Sequence, residues 1–281
     1  MKRIDLTNSP SRRGHSSAFT LAKGATHVTH CNNLRKAAFT LAEVLITLGI
    51  IGVVAAMTLP TLIQQHQKQV YATGAKKGFS TVQNMVNKMM ADEGVSDVSQ
   101  ISLFDGMCAQ GKENCEDSYG DVSGLDSIIP KYIKTVKSCS DSECDIKYHQ
   151  ADYYNGKYNI YQGSYKISEG GGALQATRGG VKGYYSNDGI VYYFGFDGRM
   201  DYHSSTNSYT LDSNSVGLVT CIDVNGEKEP NTRGRDLFCY SYCPNLGGKL
   251  LPGKQHICVD PDWSETEIEN RLMTNGWKMD Y

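Results

Sequence analysis

Residues 39–59 read FTLAEVLITLGIIGVVAAMTL, 21 residues with one charge, Glu43, and no Pro, Asn or Gln. As a helix rising 1.5 Å per residue, the stretch is about 31 Å long, close to the hydrocarbon thickness of a bilayer. Arg35 and Lys36 stand directly before it, and no Lys or Arg follows until Lys68. The preference of positive flanks for the cytoplasm predicts a single span, with everything after Pro60 outside. A buried helix of a soluble protein is the first alternative. A cleaved secretory signal is the second, but its apolar core runs to about 7–15 residues and ends at a small-residue cleavage site. Here the run is longer, and Ala55-Ala56 is followed by Met57 and more helix-like sequence.

Charge is distributed in the same sense. Residues 1–38 hold seven Lys/Arg against one acid, Asp5, and the remaining chain holds 21 basic and 29 acidic residues, a net of −8. A basic leader before an acidic body suits a cytoplasmic segment and an exported remainder. It excludes nucleic acid as a partner of the body, because phosphate binding needs a surplus of Lys/Arg.

Glu43 is the oddity of the span. Carboxylates inside membrane segments are expensive and usually functional. Near the cytoplasmic interface it can snorkel, or it can pair with a positive charge from another chain. An α-amino group made by proteolysis next to Phe39 is such a charge.

Lys36-Ala37-Ala38-Phe39-Thr40-Leu41-Ala42-Glu43 followed by an apolar span resembles the class III signal of type IV prepilins and type II secretion pseudopilins. The resemblance implies a prepilin peptidase that cuts between Ala38 and Phe39 and methylates the new N-terminus, leaving the span in the mature protein. Glu43, Gly52 and Pro60 stand where the family has its assembly residues. Ala38 departs from the family, which has Gly before the cut. A second stretch, Ala18-Phe19-Thr20-Leu21-Ala22-Lys23, nearly repeats the motif. Lys23 replaces the acid there, the residues beyond it are polar, and it reads as non-functional.

Beyond Pro60 the apolar pattern changes period. Ala75, Phe79, Val82, Val86 and Met89/Met90 recur every three to four residues, an amphipathic stripe. One long helix is expected from about 39 to 90, kinked at Pro60 where a backbone N–H is missing. Gly49, Gly52, Ala55 and Ala56 leave a smooth surface for close helix approach. The expected organisation is a leader over 1–38, a transmembrane assembly helix over 39–60, an amphipathic spine over 61–90 and an extracytoplasmic head over 91–281.

Residues 91–150 read as a loop-rich insertion. Between Tyr148 and Tyr209 lie twelve of the eighteen tyrosines, in short alternating runs. Asn187-Asp188-Gly189 and Asp197-Gly198 supply hairpin turns, and the Gly170–Gly172 and Gly179–Gly180 clusters read as bends. An antiparallel meander packed on the spine gives an α+β fold, which matches the pilin head that the resemblance implies. The tyrosines suit either a wet binding surface or half-buried strands. Ser264 to Met273 reads as a short helix capped by Ser264 or Asp262.

Nine cysteines are present. Cys31 lies in the leader, which leaves eight: Cys108, Cys115, Cys139, Cys144, Cys221, Cys239, Cys243 and Cys258. An even count outside the membrane argues for disulfides, with Cys108–Cys115 and Cys139–Cys144 favoured as local bridges. Zinc held by Cys239, Cys243, His256 and Cys258 is the alternative. Asp223, Asn225, Glu227, Asn231 and Asp236 crowd side-chain oxygens among glycines, a loop able to wrap Ca²⁺. It is not an EF-hand, since Gly234 stands at the twelfth position. It resembles the acidic C-terminal loop with which some pseudopilins hold calcium, and Asx turns in a hairpin are the alternative.

No nucleophile–base set is identifiable, His149, His203 and His256 have no partner motif, and no phosphate loop appears. The chain is therefore expected to be a non-enzymatic subunit of a type IV pilus or type II secretion pseudopilus. It would wait as a single-pass inner-membrane protein with a periplasmic head. The partners implied by the resemblance are prepilin peptidase, identical or related subunits, inner-membrane lipid and, indirectly, an assembly ATPase and platform protein. A minor pilin whose head binds a surface or cargo is a second reading, and a membrane-anchored enzyme a third.

Overall fold

The computed structural model describes residues 39–104, 122–140, 143, 146–167, 180–197, 200–203, 208–211, 217–253, 258 and 267–281. The chain divides into two units, Met1–Val53 and Val54–Tyr281. Helix α1 (Leu41–Glu93) supplies the described helix of the first unit and the spine of the second. Residues 39–53 are all exposed, the large apolar side chains included. No other described residue covers them.

In the second unit Met57, Leu59, Leu62 and Ile63 are also exposed. Pro60 lies inside the helix and has no N–H for the Ala56 carbonyl. Burial begins at Ala72 and continues through Ala75, Gly78, Val82, Met85, Val86 and Met89, the stripe expected from the three-to-four-residue spacing.

The stripe packs on an antiparallel sheet. Its strands are β1 (Thr135–Ser140), β4 (Lys182–Ser186), β5 (Val191–Asp197), β8 (Gly217–Asp223), β9 (Leu237–Cys243) and β10 (Lys249–Pro252), adjacent in that order. Helix α2 (Leu125–Tyr132) precedes β1, and α3 (Ile268–Thr274) follows β10. Two hairpins leave the sheet: β2 (Lys147–Tyr154) with β3 (Lys157–Lys166), and β6 (Met200–His203) with β7 (Ser208–Leu211). The fold is α+β.

Strand alternation sorts the core into two layers. Tyr184, Tyr192, Phe194, Leu218, Ile222, Phe238, Tyr240 and Tyr242 pack with the α1 stripe, Leu125 and Ile129. On the other layer Tyr193, Val219, Cys221 and Cys239 meet Ile146, Tyr148 and Ile167 around the β2–β3 hairpin. The tyrosines of β4, β5 and β9 are therefore largely core residues, not a binding surface. Rings meet edge to face, as where Phe79 approaches Tyr240 at 5.1 Å.

Some expectations are corrected. Residues 91–150 are not simply loops, because α2, β1 and the start of β2 lie there. Strands β8 and β9 were not anticipated: every residue in both is buried, so no polar/apolar alternation marks them. Asn155-Gly156, both at positive φ, turns the β2–β3 hairpin, as this strong turn pair does. The last helix starts at Ile268 with Glu267 at its N-cap; Ser264 and Asp262 lie outside the described residues. The Gly170–Gly172 cluster, Gly179 and Gly198 lie outside them as well.

Gly74 and Gly78 set the approach of helix to sheet. A Cβ on Gly74 would stand 2.8 Å from Val224 Cβ, and one on Gly78 would stand 2.5 Å from Ile222 Cγ2. A Cβ on Gly49 or Gly52 would meet no described atom within 4 Å beyond its own stretch of helix. On an uncovered helix Gly→Ala is stabilising by about 1 kcal/mol, whereas overpacking costs about 1–3 kcal/mol. Gly78→Ala should therefore lower the stability of the head, and Gly49→Ala should leave it unchanged, as read by thermal unfolding of the two variants.

Candidate functional sites

Helix α1 begins with a reciprocal cap. The Thr40 amide and hydroxyl both donate to Glu43 Oε2, at 2.9 Å each, and the Glu43 amide donates to Thr40 Oγ1 at 3.2 Å. This is a capping box, and Thr40-Leu-Ala-Glu43 carries its sequence signature. The signature is legible in the sequence. The box satisfies two of the N–H groups that any helix leaves unpaired at its start, which matters most where no water can replace them. Glu43 Oε1 takes no hydrogen bond among the described residues. Phe39, 81% exposed, stands directly before the cap; Ala38 lies outside the described residues.

The second site is the turn between β8 and β9. Asp223 ends β8 with its side chain fully buried, and Asp236, also buried, stands directly before β9. Asp236 is well satisfied: it accepts from the amides of Asn231 (2.9 Å) and Thr232 (2.6 Å) and from Asn225 Nδ2 (3.1 Å). Asp223 is not. Its Oδ1 accepts from the Asn225 amide at 3.1 Å, while its Oδ2 has no partner among the described residues, nor do the buried Asn225 Oδ1 and Asn231 Oδ1. Burial, and then the charge of Asp236, push the Asp223 carboxyl well above the usual carboxylate range. Burial also pushes Asp236 up, against the amides that hold it down.

Four of the five oxygen-bearing residues expected to form a cation loop are thus brought together. Glu227 differs, since its carboxylate accepts from the Tyr185 hydroxyl. Two carboxylates and two amide oxygens, three of these four groups carrying an unpartnered buried oxygen, match the hard oxygen ligands of Ca²⁺. An unpaired buried oxygen costs about 1–3 kcal/mol.

A buried ion pair holds the same turn to the rest of the head. Arg233 Nε donates to Glu269 Oε1 at 3.0 Å and Nη2 to Oε2 at 2.7 Å, and Nη2 also meets Glu267. Burial works to lower the Arg233 pKa, and Glu269 and Glu267 more than offset it, so the guanidinium is held charged. The Cys239 amide completes the Glu269 shell at 3.0 Å. No sequence signal marks this pair, because its members are 36 residues apart.

Cys221 and Cys239 face each other across β8 and β9 and are joined, with Cα atoms 4.1 Å apart. Cys243 is joined to Cys258. These bonds use three of the four side chains that the zinc alternative requires, and His256 lies outside the described residues. Cys139 is disulfide-bonded; Cys108, Cys115 and Cys144 lie outside the described residues.

Residues 33–59 match the family model of the prokaryotic N-terminal methylation motif. The chain carries there the prepilin-type cleavage and methylation signature of type IV pilins and pseudopilins. Neither a curated protein nor a solved structure matches the chain.

The raised Asp223 carboxyl gives a stability term with a definite sign. In the unfolded chain the group ionises near pH 4, while in the fold it keeps its proton to higher pH. Its contribution is full below the unfolded value and is lost as pH rises through the folded one. In the presence of chelator, Asp223→Asn should therefore be about as stable as wild type near pH 4. It should become the more stable of the two toward neutrality, as measured by paired thermal melts across that range.

Proposed function

We propose that this chain is a structural subunit of a type IV pilus or a type II secretion pseudopilus, polymerised through α1 after cleavage between Ala38 and Phe39. The observation that carries the reading is Glu43, a carboxylate at the head of an apolar stretch that is exposed among the described residues. With Oε2 capping its own helix, Oε1 is left to accept the ammonium of a neighbouring Phe39. In low dielectric that attraction is strong, and it sets the axial register between subunits. Gly49 and Gly52, with open space around them, let neighbouring helices approach.

The disulfides of the head suit an oxidising compartment, which fits a periplasmic head and a cytoplasmic leader. The prepilin-type signature suggests a structural protein rather than an enzyme. Prepilin peptidase and other subunits are the partners it implies.

Mass spectrometry of the mature protein should find N-methyl-Phe39 at the N-terminus. Glu43→Ala should be processed and inserted normally, yet be depleted from sheared filaments when co-expressed with wild type. Normal incorporation would mean that apolar packing alone drives assembly.

A cation at the Asp223–Asp236 turn is a second reading, favoured by the orphaned oxygens of Asp223, Asn225 and Asn231. Bound calcium would offset the repulsion between the two carboxylates and hold the turn. At neutral pH, calcium at 100 times its Kd should stabilise the head by about 2.7 kcal/mol. Asp223→Asn should lose most of this gain, as read by melts with calcium and with EDTA.

A further inference from the structure

Asparagine is followed by glycine three times in the chain, at Asn155-Gly156, Asn225-Gly226 and Asn275-Gly276. Such a pair carries its own chemistry, because glycine has no Cβ to shield its backbone nitrogen. That nitrogen attacks the asparagine Cγ and bonds to it. The Cγ–Nδ2 bond breaks, ammonia leaves with the glycine amide proton, and a succinimide ring remains. Water then opens the ring at either carbonyl, giving aspartate or isoaspartate, so the step needs water and no redox partner. The attack starts from an opened backbone, and its rate follows how firmly the side chain and the glycine amide are held in the fold.

The three pairs are held very differently. Asn225 Nδ2 donates to the Lys228 carbonyl at 3.0 Å and to Asp236 Oδ2 at 3.1 Å. The Asn225 and Gly226 amides both turn to the Asp223 carboxylate, and Gly226 is buried. Asn275 Nδ2 donates to the Lys278 carbonyl at 3.1 Å, and the Gly276 amide donates to the Met273 carbonyl at 3.1 Å. Asn155 has neither hold. Its exposed side chain makes no hydrogen bond among the described residues, and the Gly156 amide makes none either. A Cβ on Gly156 would meet no described atom within 4 Å. This pair forms the tip of the β2–β3 hairpin, closed by the Tyr154–Lys157 pair.

We propose that Asn155 is a self-modification site, which converts to aspartate and isoaspartate in the folded protein well ahead of Asn225 and Asn275. Either product adds a negative charge at the hairpin tip beside Lys157. Isoaspartate also adds a methylene to the backbone of a two-residue turn, whose twist matches the flanking strands only at its native length. The Tyr154–Lys157 pair then separates, and the loosening reaches Tyr158. That residue ties the hairpin to the rest of the head: its ring lies 5.0 Å from the Tyr281 ring, and its hydroxyl donates to the Arg233 carbonyl at 2.6 Å. The change accumulates with time, so the hairpin records the age of the subunit.

The test is full-length protein in detergent, incubated at mildly alkaline pH in heavy-oxygen water, digested and read by mass spectrometry. Heavy oxygen in a peptide marks conversion during the incubation. The Asn155 peptide should gain it roughly tenfold faster than the Asn225 and Asn275 peptides, the effect expected where two hydrogen bonds must break first. In urea with the disulfides reduced, the three rates should come together, since each asparagine precedes a glycine. Amide hydrogen exchange along β2–β3 should rise in the aged protein. It should stay low in freshly made Asn155→Asp, which has the charge without the added methylene. Equal rates in the folded protein, or a faster gain at Asn225 or Asn275, would overturn the assignment. So would an Asn155 that stays intact in the folded protein and converts only in urea. Unchanged exchange in aged, converted protein would overturn the loosening of the hairpin.

Discussion

The approach of α1 to β8 at Gly74 and Gly78 is the contact on which the rest of the head is built. Two missing Cβ atoms bring the helix backbone against Val224 and Ile222. That proximity lets Val82, Met85, Val86 and Met89 reach the aromatic layer of β4, β5 and β9. With bulkier residues the helix would stand off, and the sheet face would lose contacts along its whole length, because interiors are close-packed and do not yield gradually.

From β8 the chain enters the Asp223–Asp236 turn, where the head is tied together by polar contacts rather than by apolar area. The His149 amide donates to the Asn231 carbonyl at 2.8 Å and the Arg233 amide returns to His149 at 3.0 Å. Tyr281 donates its hydroxyl to Gly234 at 2.8 Å, and Glu269 holds the Arg233 guanidinium. The β2–β3 hairpin, α3 and the segment ending at Tyr281 therefore all take their positions from one turn. A cation at that turn would bear on the head as a whole, and the cross-strand Cys221–Cys239 bond lies in the two strands that flank it.

The upstream part of α1 follows a different logic. Its large apolar side chains are exposed among the described residues. The Thr40–Glu43 box settles the helix start without water and leaves one carboxylate oxygen over. Local capping thus occupies one oxygen of Glu43 and leaves the other for the pairing proposed between subunits.

Features written in consecutive residues were determined by the sequence itself. The apolar run of 39–59, its basic flank, the capping box and the stripe from Ala72 to Met89 follow from a helix period acting on neighbours in the chain. The oxygen-rich turn was visible for the same reason, since Asp223, Asn225, Asn231 and Asp236 fall within 14 residues. Only the tertiary structure decided that Asp223 is the underserved carboxylate and that Glu227 turns away to Tyr185. It alone joined Cys221 to Cys239 and Arg233 to Glu269. Strands β8 and β9 are not legible in the sequence, because both their faces are buried, which removes the alternation that marks a strand. Pairings across such a sheet depend on register and on which face each side chain takes, and only the folded chain fixes those.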